Sequence, residues 1–188
     1  MVGVVLLLLA GCTAIGGQAA PADPTTPAPT TALPARPREV RIDGVDPCTL
    51  LTEAQRGELG LDARPRLDVG PLPPYPAADI PLCVMAGFTP RAVSVAISVV
   101  TTAGIESFTS GDLVADLRVI EVAGYPAALA RPTSYTDFCT VVVDVAQGQA
   151  LDVNFRTGGR PPPIPQDQLC RDAQRAADAA MSTLLTLR

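Results

Sequence analysis

Two strand-like runs, Cys139-Thr140-Val141-Val142-Val143-Asp144-Val145-Ala146 and Ala150-Leu151-Asp152-Val153-Asn154-Phe155-Arg156, are separated only by Gln147-Gly148-Gln149. The runs are rich in β-branched residues, and a connection this short can join only antiparallel neighbours. The two runs therefore read as an antiparallel hairpin near the C-terminal end. Ala92-Val93-Ser94-Val95-Ala96-Ile97-Ser98-Val99 alternates with period two and places Val93, Val95, Ile97 and Val99 on one face. Its other face holds only Ala and Ser, so either something lies closely against it or it meets water. Further strand signals run over Leu82–Phe88, over Leu117–Val122 before Gly124-Tyr125-Pro126, and over Ala127–Ala130.

Helical signals bracket the strands. Thr52-Glu53-Ala54-Gln55 matches a capping box and Gly60 is a stop, which predicts a helix over 49–59 presenting Leu50, Leu51, Ala54 and Leu59 to a core. From about Asp167 to Leu187 the residues Leu169, Ala173, Ala176, Ala177, Ala180, Met181 and Leu184 recur at helical spacing. Small residues in that stripe let a helix sit close to a sheet. Arg64 to Pro81 is proline-rich without periodicity and reads as a long surface loop, as does Gly158 to Pro165. Ile105–Leu113 is compatible with a helical turn. The predicted class is α+β, an antiparallel β-sheet with N-terminal and C-terminal helices packed on it.

Four cysteines fall in this region: Cys48, Cys83, Cys139 and Cys170. In an oxidising compartment an even number reads as two disulfides, and three pairings are possible. Cys48 and Cys170 stand at helix starts, whereas Cys83 and Cys139 stand in strand signals. Pairing like with like gives Cys48–Cys170 and Cys83–Cys139.

The N-terminus has a different character. Val2 to Leu9 is an apolar run too short to span a bilayer, and it ends in Leu9-Ala10-Gly11-Cys12. This end resembles the bacterial lipobox, which implies cleavage before Cys12 and acylation of Cys12. No Arg or Lys precedes the run, where a secretory signal is normally positive, so the true start is expected upstream of Met1. Thr13 to Val45 is dominated by Pro, Thr and Ala and reads as a tether on the order of 100 Å if fully extended as polyproline II. Its threonines beside prolines suit O-glycosylation. The expected organisation is a lipoprotein signal peptide over 1–11, lipidated Cys12 with a disordered tether over 12–45, and one α+β domain over 46–188.

Charge and composition exclude several functions. The chain carries a net charge of −5, with no His and no Trp, and all its basic residues are Arg. An acidic domain without a basic cluster argues against nucleic acid. The absence of His removes the usual triads and nearly all zinc and iron sites. No catalytic, cofactor-binding or metal site is expected. Arg in place of Lys, with abundant Ala, Pro, Gly and Val, fits a GC-rich, actinobacterial genome.

Asp46-Pro47-Cys48-Thr49-Leu50-Leu51-Thr52, Cys83, Gly124-Tyr125-Pro126-Ala127, Cys139-Thr140-Val141-Val142-Val143 and Cys170-Arg171-Asp172-Ala173, in this order, resemble the actinobacterial lipoproteins grouped as domain of unknown function 3558. The resemblance covers about Asp46 to Leu187. Those proteins often carry Trp two residues after the second domain cysteine, where this chain has Met85. The resemblance implies secretion, lipidation and disulfides, and no particular reaction.

The functional expectation is a non-enzymatic, membrane-anchored cell-envelope lipoprotein at the extracytoplasmic face. It would act as a binding or interaction module, with an envelope protein or a lipid as possible partner. A carrier is the alternative, with an apolar cavity for a lipid or other hydrophobic ligand between sheet and last helix, where Ala176, Ala177 and Ala180 leave room. A third reading is a hydrolase using Asp144 and Asp152, which flank the hairpin turn as paired carboxylates do in glycosidases. Acidic residues alternating with Val on a hairpin more often form a solvated face.

Overall fold

The structure, a computed structural model, describes residues 33–77, 79–110 and 113–188. Cys12, the apolar run before it and the first part of the expected tether lie outside the described residues. Seven strands form one antiparallel sheet: β1 Arg66–Gly70, β2 Ile80–Gly87, β3 Val93–Val100, β4 Ala115–Val122, β5 Tyr125–Pro132, β6 Phe138–Ala146 and β7 Gln149–Thr157. Their spatial order is β1-β2-β3-β7-β6-β5-β4. The predicted hairpin is thus β6–β7, and β7 also pairs with β3, joining two meanders through the middle of the sheet. The connection from β3 to β4 carries a single helical turn, α2 Glu106–Thr109.

One face of the sheet is apolar throughout. Rows such as Cys83–Ile97–Val153–Val141–Leu129 and Met85–Val95–Phe155–Cys139 follow directly from the register. The long C-terminal helix, α3 Gln166–Leu187, lies over β6 and β7 and buries Leu169, Ala173, Ala176, Ala177, Ala180, Met181 and Leu184 on this face. The three alanines are fully buried members of the core, so their small size serves close packing of helix on sheet.

The N-terminal helix is shorter than its sequence signal. A 3-10 turn at Pro47–Thr49 precedes α1 Glu53–Glu58, and the Thr52–Gln55 capping box is present. Leu50, Leu51 and Leu59 are buried from the flanking turns, whereas Ala54 is exposed. The helix stands beside α3: Gln55 Nε2 donates to the Ala179 carbonyl at 3.2 Å, and Thr183 Oγ1 bonds Gln55 Oε1 at 3.1 Å. Gly87, at the end of β2, packs where any Cβ would fall 1.6 Å from the Gly60 carbonyl oxygen, so only glycine allows this approach.

Two expectations are corrected here. The disulfides are Cys48–Cys83 and Cys139–Cys170, with Cα separations of 5.0 and 4.9 Å. Cys83 on β2 and Cys139 on β6 share a face, but β3 and β7 lie between them. Three strand spacings amount to about 14 Å, twice the reach of a disulfide. Each strand cysteine instead bonds upward to the helical element above it. The second correction is the boundary at residue 46. Val40 and Ile42 are buried in the core, Val40 N–H donates to the Val145 carbonyl at 2.8 Å, and Ile42 N–H donates to Gln149 Oε1 at 2.9 Å. Residues 33–45 of the expected tether are therefore part of the folded unit. Glu39-Val40-Arg41-Ile42 alternates as a strand does, and the surrounding Pro, Thr and Arg hide it.

Candidate functional site: a groove on the second face of the sheet

The face turned away from α3 is built from the small and polar positions of the same strands. The register aligns Leu82–Ser98–Asp152–Val142–Ala128 and, beside it, Val84–Ala96–Asn154–Thr140–Ala130. Ala96, Ser98, Ala128 and Ala130 leave space over the middle of this face, where no long helix of the described residues lies. The space is walled by Leu72, Pro73 and Pro74 on one side, by Phe108 and Leu113 to Ala115 on another, and by Tyr135 and Phe138 at the end. The result is a groove of about 490 Å³ with Asp152, Ser98, Thr140 and Asn154 in its lining. That size and a mostly apolar lining with a few convergent polar groups are typical of small-molecule sites.

Asp152 is the chemically distinctive group. It is 2% exposed, and the Tyr75 hydroxyl donates to its Oδ2 at 3.1 Å. Burial pushes its carboxyl up to about 7, and the Tyr75 hydrogen bond opposes that rise. Burial and the neighbouring Asp152 likewise push the Tyr75 hydroxyl well above the ordinary phenol range, so it remains a donor. Tyr75 also packs against Phe108 with ring centroids 5.5 Å apart. At the far end Tyr135 stacks on Phe138 at 6.4 Å, and the Arg156 guanidinium lies 5.7 Å from the Phe138 ring centre. Arg156 also pairs with Asp137 at 3.4 Å, and Asn154 Nδ2 donates to Thr140 Oγ1 at 2.8 Å. Four of the chain's seven aromatic residues, Tyr75, Phe108, Tyr135 and Phe138, thus surround this groove.

Asp144 and Asp152 line different hollows. They lie on the same face, yet Asp144 lines a separate hollow with Leu33 to Glu39. Both Asp144 oxygens accept from Arg36 Nη1, at 2.6 and 2.7 Å. Its carboxyl is raised, chiefly by burial, with Arg36 opposing. Neither aspartate sits on a solvated face: both are buried, because residues 33–39 cover one and the Leu72–Tyr75 segment covers the other. On the helix side of the sheet, a hollow of about 500 Å³ contains Arg118, Arg131, Asp167 and Arg171. Arg131 there is taken by Asp167 and Gln166, each at 2.9 Å, on an exposed surface.

Among the sequence-predicted site residues, the four cysteines hold the two helical elements on the apolar face, and Cys12 lies outside the described residues. Sequence reasoning missed Tyr75. Its one signal is an aromatic between prolines, Pro74-Tyr75-Pro76, in a segment otherwise read as surface loop.

A family model described as "Protein of unknown function (DUF3558)" matches residues 7–183. No curated protein matches the chain, and no solved structure matches it.

Proposed function

We propose that this chain, which belongs to the DUF3558 family of proteins of unknown function, is a non-enzymatic binding module of the cell envelope. It seats a small organic ligand in the groove over Asp152. The observation that carries this reading is a carboxyl, buried but for 2% of its surface, that lines an aromatic-walled groove of about 490 Å³. Tyr75 is the one described partner of this carboxyl, so its second oxygen is left as a polar group for a ligand in a mostly apolar groove. Asp144 lines another hollow, where Arg36 engages both its oxygens, which supports binding over paired-carboxylate hydrolysis.

The anchor belongs to the same proposal. Leu9-Ala10-Gly11-Cys12 after an apolar run supports lipidation of Cys12 and attachment at the extracytoplasmic membrane face. Two disulfides suit an oxidising compartment. No helix of the described residues is long and apolar enough to cross a membrane.

Native mass spectrometry of the protein exported with its own signal tests the binding reading. A non-covalently bound small molecule should accompany the parent and be absent from Ala115→Trp, which fills the groove from its edge strand. Parent protein that carries nothing, or an Ala115→Trp variant with the same adduct, contradicts it. Cys12→Ala tests the anchor: the variant should leave the membrane fraction or remain uncleaved, and unchanged fractionation and processing contradict lipidation.

A further inference from the structure

We infer that the groove selects a small organic ammonium ion, seated with its nitrogen against Asp152 and its hydrocarbon part against the aromatic walls. The inference rests on the groove being the binding site and adds the chemical class of what it binds. It starts from hydrogen-bond supply. Tyr75 occupies Asp152 Oδ2, and among the described residues Oδ1 has no partner. Nor is Oδ1 sealed away: the one enclosed, unpartnered side-chain oxygen among the described residues is Asp172 Oδ2, on α3. Ser98 stands directly across from Asp152 in the β3–β7 register, lines the same groove, and its hydroxyl has no described partner. Asn154, the next groove-facing residue on β7, spends its amide N–H on Thr140 and keeps its carbonyl oxygen as an acceptor. A carboxylate, a hydroxyl and an amide carbonyl around one space suit the three donors of a primary ammonium.

Charge points the same way. Among the described residues no cation pairs with Asp152. Arg156 lines the far end of the same groove, about 13 Å along β7 from Asp152, where Asp137 and the Phe138 ring engage it. Arg36 is committed to Asp144. The Glu106 carboxylate adds to the rise of the Tyr75 hydroxyl. The missing partner of Asp152 is therefore positive. Beside ionised Asp152 a carboxylate ligand meets like charge, with Arg156 at the other end of the groove, and an alcohol leaves the ionised aspartate uncompensated. The rings of Phe108, Tyr135 and Phe138 supply π faces that attract an ammonium as well as apolar contact.

The test compares phenethylammonium, phenethyl alcohol and hydrocinnamate, which share a ring and differ in charge, by calorimetric titration of the full exported chain at about pH 8. The ammonium should bind about tenfold or more tighter than the alcohol, and hydrocinnamate weakest. Asp152→Asn should abolish the preference while retaining alcohol binding. In the unaltered protein, lowering the pH to about 5 should weaken ammonium binding as Asp152 takes up a proton, with the ligand itself still charged. That arm stands even if the variant does not fold. Equal binding of all three ligands, a preference for the alcohol or the acid, or a preference that survives both Asp152→Asn and acidification overturns the ammonium assignment and leaves the groove as a binding site. No binding by any of the three overturns the assignment and the groove together.

Discussion

The Tyr75 hydroxyl donates to Asp152 Oδ2 at 3.1 Å, across 77 residues of sequence. This bond fixes a proline-rich segment over the centre of the sheet and partners half of a buried carboxyl. Tyr75→Phe keeps the ring and its packing on Phe108 but leaves that oxygen unsatisfied. The expected loss of stability is about 1–3 kcal/mol. The Asp152 carboxyl should titrate higher still, since the lost bond favoured its charged form. Chemical denaturation and a carboxyl NMR titration check the two effects, and a variant unchanged in both contradicts the contact.

Asp152 also sets a pH dependence of folding. Its folded value of about 7 lies above the ordinary aspartate value, so the folded chain holds a proton that the unfolded chain releases from about pH 4 upward. Stability should be full below about pH 4, fall as pH rises through that window, and level off above about pH 7, by up to about 4 kcal/mol. The buried Asp144 carboxyl, also raised, contributes in the same direction. Asp152→Asn should flatten most of this slope. Parallel pH profiles for parent and variant would contradict it.

The disulfides close loops of 35 and 31 residues. Peptide mapping without reduction should recover Cys48–Cys83 and Cys139–Cys170 peptides only. The chain-entropy model gives each about 4 kcal/mol, so Cys48→Ala with Cys83→Ala should lower the denaturation midpoint markedly. A Cys48–Cys170 peptide would contradict the strand order, since it requires a different placement of helices on the sheet.

Residues before Asp46 contribute to stability. A chain starting at Asp46 loses the buried Val40 and Ile42 and the Arg36–Asp144 pair, and exposes Asp144. Burial of the two apolar side chains alone is worth about 3–6 kcal/mol as an upper range. It should melt well below a chain starting at Leu33. Equal melting temperatures would show that this segment does not pack.

What the sequence disclosed follows from periodicity. The β6–β7 hairpin, the alternating β3 and the α3 stripe each bury one face and therefore carry a period. The short edge strand β1 buries no face: Leu67 and Val69, one strand out from Cys83 and Pro81, are more than half exposed. Cysteine pairing was not legible, since it depends on β7 inserting between β3 and β6, a relation between segments some fifty residues apart. The groove was half legible. The Ala/Ser face of β3 signalled close approach or water, but the burial of Asp152 depends on Tyr75, which no local pattern links to it.

The central claim is that ligand binds over Asp152 on the face opposite α3. Amide NMR during titration with phenethylammonium tests it most directly. The account predicts that shifts concentrate at Ser98, Thr140, Asp152 and Asn154, with Ala176, Ala177 and Ala180 unmoved. Shifts centred on those alanines of α3, or on the charged hollow around Arg118 and Arg171, would contradict it.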